Sequence, residues 1–540
     1  MSHTPVLIAG AGPTGLMLAN QLARHGVHFR LVDGKSGPTR ESRALGVQAR
    51  TLELYAALGL ADAAVAQGRP TEAVNLYVGR RRVQRLPLGD LGRARTAFPY
   101  LLILEQSRNE ALLQARLREA GHDADWSCTL ERFEPRADGV DATLRHADGR
   151  AETLHCDWLV GCDGARSAVR EGLGLDFAGG TYENAFYVAD TAIDWALPYG
   201  EVTVCLSHET FVLFFPMPGG ERRYRVIGVL PPHAGTQVGD LRFEDIETAV
   251  RRQMDIPVDF SDTAWFSAYR VHHRCVEQLR VGRCLLAGDA AHVHSPVGAQ
   301  GMNTGLQDAC NLGWKLALVA DGRTDAALLD TYHAERWPVA QRLLHTTDNA
   351  FRLVVGRQPL LRWLRLNLVP PVAARVMGRP AVRRWVFGTV SQIALAYRDG
   401  PLARGGGRLA ERAGERLPHA EVGVPPRPVH GWLAAPGFHV LLLACGTDAA
   451  LDARAADWQA RLEPRWPQRL HVHALDGPRG GAALLDALGL PEPDARAALV
   501  VRPDQYIGWA AEGHDLADAE AWFDTCLGLR CHPDDEPGAT

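Results

Sequence analysis

The chain has 540 residues, with 58 Lys plus Arg against 63 Asp plus Glu, a formal charge of −5. That balance lacks the basic surplus of a nucleic-acid binder, and 46% hydrophobic with 22% charged residues describes a globular chain rather than a disordered one. At roughly 100–200 residues per domain, the length allows about three or four domains.

The first 35 residues read strand, turn, helix, strand. Pro5–Ala9 is a short apolar run suited to a buried parallel strand. Gly10-Ala11-Gly12-Pro13-Thr14-Gly15 follows, then apolar residues at helical spacing (Leu16, Ala19, Leu22, Ala23), a stop at Gly26, and a second strand Phe29–Asp33. From about Thr181 to Tyr269 the pattern changes to strands with Gly/Pro turns, and Phe211–Phe215 with Tyr224–Ile227 forms a hairpin signature. Cys284–Ala287 returns to the buried-strand style. Residues from about Asn349 to Tyr397 read as helical and Arg/Leu-rich, broken at Pro370-Pro371, with Leu360–Leu366 expected as a packed interdomain or dimer helix. After Arg404–Gly407 a separate tail carries two buried-strand candidates, Val440–Ala444 and Ala498–Val501, among helical segments.

The ten cysteines are scattered, with no CxxC and no zinc-site spacing, as for reduced thiols in a cytoplasmic protein. The N-terminus enters a strand without a basic region, and no run of about 18 apolar residues exists, so neither a signal peptide nor a membrane span is expected. No metal site is expected either. His292/His294 and His471/His473 form pairs without a third ligand near them in sequence, and His272 and His273, which could reach a pocket, are expected on the surface.

The glycine loop carries the first chemistry. Gly10 permits the tight turn, Gly12 the approach of a pyrophosphate, and Gly15 close helix–strand packing. Pro13 and Thr14 open the helix whose N-terminal N–H groups face the phosphates. Asp33, 18 residues beyond Gly15, stands where an acid accepts hydrogen bonds from a ribose. Trp158–Gly164 is a strand ending in Asp163-Gly164, and Leu285–Asp289 one ending in Gly288-Asp289; a carboxylate at such an end can hold a polyol hydroxyl. The loop Pro296-Val297-Gly298-Ala299-Gln300-Gly301-Met302-Asn303 then leads into a helix, an electropositive spot suited to a reduced flavin.

These segments, in this order and spacing, resemble the single-component FAD-dependent aromatic hydroxylases of the para-hydroxybenzoate hydroxylase, phenol 2-monooxygenase and pentachlorophenol monooxygenase type, over nearly the whole chain. The resemblance implies an α/β fold: a Rossmann-like FAD-binding domain (1–180 and 270–348), an inserted β-sheet substrate domain (181–269), a helical linker region (349–400) and a thioredoxin-like C-terminal α/β domain without CxxC (401–540). Val501–Ile507 is the most typical segment of that tail. Because every flavin motif lies earlier, removal of residues after about Gly407 is expected to leave FAD bound.

The resemblance implies non-covalent FAD, held by Gly10, Gly12, Pro13, Thr14, Gly15, Asp33, Arg43, Gln48, Gln106, Asp163, Gly288, Asp289, Pro296, Gly298, Gly301, Met302 and Asn303. It implies NADPH or NADH as reductant and transfer of oxygen from O2, through a flavin C4a-hydroperoxide, to a phenolic or polyketide-like aromatic ring. Tyr269 matches the family's tyrosine against the substrate hydroxyl. Arg225 resembles a family arginine near the flavin, and Pro296 stands in the flavin loop. A homodimer is a further expectation. An antibiotic-inactivating monooxygenase on the same fold, and a non-catalytic flavoprotein that binds an aromatic ligand, are the alternatives.

Overall fold

The computed structural model describes residues 2–39, 44–207, 211–230, 241–254, 256–294, 299–355, 378–466, 469–515 and 517–528, with residues 358, 363–368, 371–372 and 375–376 between them. Val6, Leu7 and Ile8 are fully buried, as a strand covered on both faces requires. Their strand, Ser2–Ala9, runs parallel to Phe29–Asp33 on one side and to Ala151–Gly161 on the other. Cys284–Leu286 extends the sheet beyond Ala151–Gly161, and Asp125–Trp126 beyond Phe29–Asp33, both parallel. The hairpin Cys128–Pro135/Val140–His146 adds to it antiparallel. Helices Pro13–Arg24 and Gly301–Ala320 bury Leu16, Leu22, Leu306 and Leu312 in the same core as Val6–Ile8. The parallel strands end at Ala9, Asp33, Gly161 and Leu286, and open α/β sheets bind ligands beyond such ends.

The second sheet has eight strands. Two 18-residue strands, Ala178–Trp195 and Val258–Cys275, pair antiparallel and carry the chain from one sheet to the other. The hairpin signature forms Phe211–Pro216 against Arg223–Val229. The sheet also takes Ala73–Val78 and Arg81–Pro87, so it draws on sequence well outside 181–269. Alternation along these strands divides the residues between two faces. Tyr187, Phe214, Tyr224 and Val226 pack under helix Phe243–Met254, whereas Val188, Ile227, Trp265 and Tyr269 face Leu45, Ala49 and Leu101 of the first domain.

In the tail, Phe438–Ala444 and Leu470–Leu475 are parallel, and Arg496–Val501 and Ile507–Glu512 continue the sheet antiparallel. Helices Leu451–Leu462, Gly481–Leu488 and Ala517–Leu527 complete a βαβαββα order, the thioredoxin-like arrangement. This domain is not an appendage. Trp314, Leu318 and Leu328 of the first domain share one core with Phe438, Trp522 and Phe523 of the tail. This shared core weighs against the expected retention of FAD without the tail, which truncation would decide.

Between the domains, Pro380–Val390 is helical within the expected helical region, while the helix Asp330–Val355 begins well before its expected start near Asn349. Leu360–Arg362 and Pro370 lie outside the described residues. Trp363 is 56% exposed in the single chain. Among the described residues, no helix is long and apolar enough to cross a membrane.

Strand pairing brings a third histidine to the His471/His473 pair. His439 lies opposite His471, and its Nδ1 is 3.0 Å from Nε2 of His473. The Nε2 atoms of His439 and His471 are committed to the carbonyls of Ala435 and Pro436. These bonds occupy both ring nitrogens of His439 and one each of His471 and His473, and among the described residues no His/Cys/Asp/Glu cluster could hold a metal ion. Burial, with neighbouring charge, pushes His473 down to about 4. Burial also pushes His25 and His430 down to about 3. All three lie in or against the tail, and their folded-state values are below the ordinary 6.5. Their neutral forms thus favour the folded state above pH 6.5, and that contribution is lost as the pH falls from 6.5 towards 4. Despite burial, Arg416 and Arg502 hold Glu53 and Glu335 at about 2, so these carboxylates stay ionised across that window. A melting series between pH 7.5 and pH 5 is expected to show a steady fall in Tm, with about 2 kcal/mol lost per histidine at pH 5.

Candidate active site

A cavity of about 920 Å³ lies at the ends of the parallel strands and runs under the second sheet. One half is lined by the glycine loop, Asp33, Lys35, Gln106 and Asp163; the other by Phe215, Ile227, Trp265, Tyr269, Gly301 and Met302. The first half is polar, as a nucleotide requires, and the second is apolar and aromatic.

The glycine loop is shaped by steric necessity. Gly10 has φ +102°, and a Cβ there would stand 2.4 Å from the carbonyl oxygen of Cys162. Gly12 caps helix Pro13–Arg24, whose first-turn N–H groups lack intrahelical acceptors, and its Cβ position is open to the cavity with nothing within 4 Å. Asp33 receives the backbone N–H of Ala11 at 2.8 Å and of Lys35 at 2.8 Å, which fixes its carboxylate at the cavity edge. Gln106 lines the cavity and donates to Glu110, which in turn accepts from the N–H of Thr39.

Asp163 and Asp289 both line the cavity, and burial pushes both carboxyls up. Asp289 is closely surrounded by protein, yet its side chain is reached by solvent through the cavity. A carboxylate so placed calls for a hydroxyl partner. The open position over Gly12, the first helical turn and Asp289 suit the pyrophosphate and polyol chain of FAD. Asp289→Ala is expected to weaken FAD binding by about 1.5–3 kcal/mol, roughly tenfold to 150-fold, without lowering the melting point of the apoprotein. Titration of apoprotein with FAD measures it.

Gly288 does not line the cavity but makes the turn that presents Asp289, with φ +62° and its N–H donated to Asp308 at 3.1 Å. Gly15 is likewise structural, packed against the carbonyl of Gly10. Asn303 is fully buried away from the cavity. It accepts from the N–H of Gln48 and the hydroxyl of Thr51, and donates to the carbonyls of Gly46 and Ala299. It therefore clamps together two loops that line the aromatic half. Gln48 is buried and caps helix Ala49–Ala57, outside the cavity lining. Arg43, Pro296 and Gly298 lie outside the described residues.

In the aromatic half, Tyr269 lines the wall and packs on Phe186, with ring centroids 6.4 Å apart. Arg225 does not line the cavity. It is buried in a two-pronged ion pair with Asp190 at 2.7 and 2.6 Å, with its guanidinium 5.2 Å from the ring of Trp265. It thus supports the wall from behind. His272, read from sequence as a surface residue, lines the cavity and hydrogen-bonds Thr181 at 2.7 Å. Burial, then Arg274 and His273, keep its pKa below the ordinary value. His292 is buried against Asp308 at 2.7 Å.

Sequence reasoning missed Asp308 and Arg336. The signal was present: Asp308 is an acid within the apolar helical series Leu306, Ala309, Leu312, Leu316, where only a paired carboxylate is tolerated. It also missed Phe215, Ile227 and Trp265, which reach the cavity only through the pairing of distant strands.

The chain matches the FAD binding domain family over residues 3–347 and the aromatic-ring hydroxylase C-terminal family over residues 410–528. It is 42% identical over 414 residues to a 6-methylpretetramide 4-monooxygenase of Streptomyces rimosus, covering 74% of this chain and 71% of the relative. It is 31% identical over 545 residues to the pentachlorophenol 4-monooxygenase of Sphingobium chlorophenolicum, covering 97% of each. Among solved structures, an anhydrotetracycline hydroxylase from Streptomyces rimosus superposes with a TM-score of 0.74 at 31% identity, covering 97% of this chain and 99% of that one. With its dinucleotide loop, its aromatic-walled cavity and its thioredoxin-like tail, the chain belongs to the FAD-dependent aromatic-ring monooxygenases.

Proposed function

We propose that the enzyme hydroxylates a polycyclic, polyketide-like phenol, with NADPH or NADH as reductant. The observation that carries the substrate class is the wall of Phe215, Ile227, Trp265 and Tyr269, continuous with the flavin-side loop at Gly301 and Met302. Flat apolar rings fit such a wall by stacking and by area. The tetracycline-type substrates named for two of the relatives support the same class.

Bound FAD supplies the chemistry of oxygen activation and transfer of one oxygen atom to the ring. The residues of the chain bind, orient and exclude water. Tyr269 meets the substrate hydroxyl and helps to hold it as the more nucleophilic phenolate. Arg225 keeps Trp265 in place through Asp190 rather than touching substrate. The same proposal includes a cytoplasmic homodimer and the assignment of the second sheet to substrate binding.

The test is NAD(P)H oxidation by purified holoenzyme across phenols and polycyclic polyketide aromatics. Reduction should be slow alone and at least about tenfold faster with a suitable polycycle, because a gated flavin avoids wasted reductant. Equal rates with and without every compound would refute the gating. Tyr269→Phe is expected to lower hydroxylated product more than NAD(P)H oxidation, with the difference appearing as hydrogen peroxide. An unchanged peroxide fraction would remove that role from Tyr269 alone.

A further inference from the structure

A cluster of buried charges lies outside the cavity and joins the tail to the flavin loop. The tail turn between Val501 and Ile507 inserts Arg502 into the first domain, where the side chain is 1% exposed. Its guanidinium donates to both carboxylate oxygens of Glu335 at 2.6 and 2.9 Å, and to both of Asp504 at 3.0 and 2.6 Å. Glu335 also accepts from Asn311 and Lys315, both at 2.7 Å, on helix Gly301–Ala320. The next residue, Arg336, donates to Asp308 at 2.7 Å, to the carbonyl of Thr304 at 3.1 Å and to the hydroxyl of Tyr397 at 3.0 Å. Asp308 accepts from the N–H of Gly288 and from His292. The ring of Tyr397 packs on that of Tyr506 in the tail turn at 4.4 Å.

We propose that Arg502 is a positioning residue for the flavin site: from the C-terminal domain it fixes helix Gly301–Ala320 and, through Glu335, Arg336 and Asp308, the Gly288-Asp289 turn. Two routes reach the same helix. One runs through Asn311 and Lys315, the other through Arg336 to Thr304 and Asp308. The helix N-terminus, at Gly301 and Met302, lines the aromatic half of the cavity. Buried ion clusters contribute little net stability compared with apolar packing of the same volume, and their attested use is to fix register. Here the register fixed is that of the element whose end lines the cavity. The proposal rests on the FAD site described above.

The test uses full-length Arg502→Lys, Arg502→Gln and Arg336→Lys. Hydrogen exchange is followed at Gly288–Val293 in apoprotein, and FAD affinity by titration. Arg502→Lys keeps a cation beside Glu335 but loses the two-pronged geometry. It should melt close to the parent, yet exchange faster at the Gly288 amide and bind FAD about tenfold more weakly. Arg336→Lys should give the same pattern, because it breaks the same chain one link nearer the turn. Arg502→Gln should show a larger effect; should it fail to fold, the two lysine variants decide. Parental exchange at Gly288 and parental FAD affinity in folded Arg502→Lys would overturn the proposal. So would exchange raised uniformly over the whole chain, the mark of a purely structural role. Failure of FAD to bind the parent protein would instead overturn the site itself.

Discussion

Residues 1–403, expressed without the C-terminal domain, are expected to yield no folded flavoprotein. Trp314, Leu318 and Leu328 are 1%, 4% and 4% exposed in the whole chain and are covered by the tail core of Phe438, Trp522 and Phe523. Uncovering each costs about 1.5–3 kcal/mol, and the three together rival the ~5–15 kcal/mol that holds a typical domain folded. Hydrogen bonds and ion pairs cross the same boundary, and truncation would leave their buried partners unsatisfied. Arg24 donates to the carbonyls of Ala434 and Ala435, Arg50 to that of Asp504, and Arg416 pairs with the buried Glu53 at 3.0 Å. After truncation, Glu335 and Lys315 would draw water into the base of helix Gly301–Ala320. The fresh apolar patch would also drive association. Solubility, far-UV circular dichroism and FAD content of the truncated protein measure the outcome. A soluble, folded, yellow 1–403 fragment would show that the tail is accessory after all.

Local sequence signals reveal elements but not their distant partners, and the elements of the tail, taken alone, look separable. The apolar run before Gly10, the hairpin at Pro218-Gly219 and the strands around Leu441 and Leu499 all formed where periodicity and turn residues placed them. That one cavity would gather Gly12, Asp33, Asp163 and Asp289 was legible for the same reason, since they lie at strand ends whose order the motifs declare. Partners far apart in sequence were not legible. Arg502 meets Glu335 across 167 positions, and Arg50 meets Asp504 across 454. His439 completes the histidine cluster only because two strands pair in register. Arg225 and Asn303 illustrate the converse. Both stand beside the site in sequence, but their side chains are consumed by Asp190 and by the loops at Gly46 and Ala299. A motif places a residue near a site, whereas the side chain's own hydrogen bonds decide whether it faces the ligand.

Two glycines of one loop should respond to the same substitution in opposite ways. At Gly12 an added Cβ meets no protein atom within 4 Å, and the backbone has φ −80°, which alanine adopts freely. The Gly12→Ala apoprotein should therefore melt within about 0.5 kcal/mol of the parent, as for a substitution that disturbs no packing. The methyl group would instead occupy the space over which the pyrophosphate must approach the helix terminus. Crowding of that kind costs about 1–3 kcal/mol, so FAD affinity should fall by roughly fivefold to 150-fold. At Gly15 the Cβ would lie 1.9 Å from the carbonyl oxygen of Gly10 and 3.3 Å from Cβ of Cys162. A backbone oxygen in a tight turn cannot swing aside, so helix Pro13–Arg24 must lift from the sheet. Gly15→Ala should thus lower apoprotein stability by about 1–3 kcal/mol or more and weaken FAD binding as well. Apoprotein melting and FAD titration of the two variants separate the roles. If Gly12→Ala bound FAD like the parent, the cofactor would not pass over that position. If Gly15→Ala melted like the parent, the close packing of helix on strand would not be what this glycine provides.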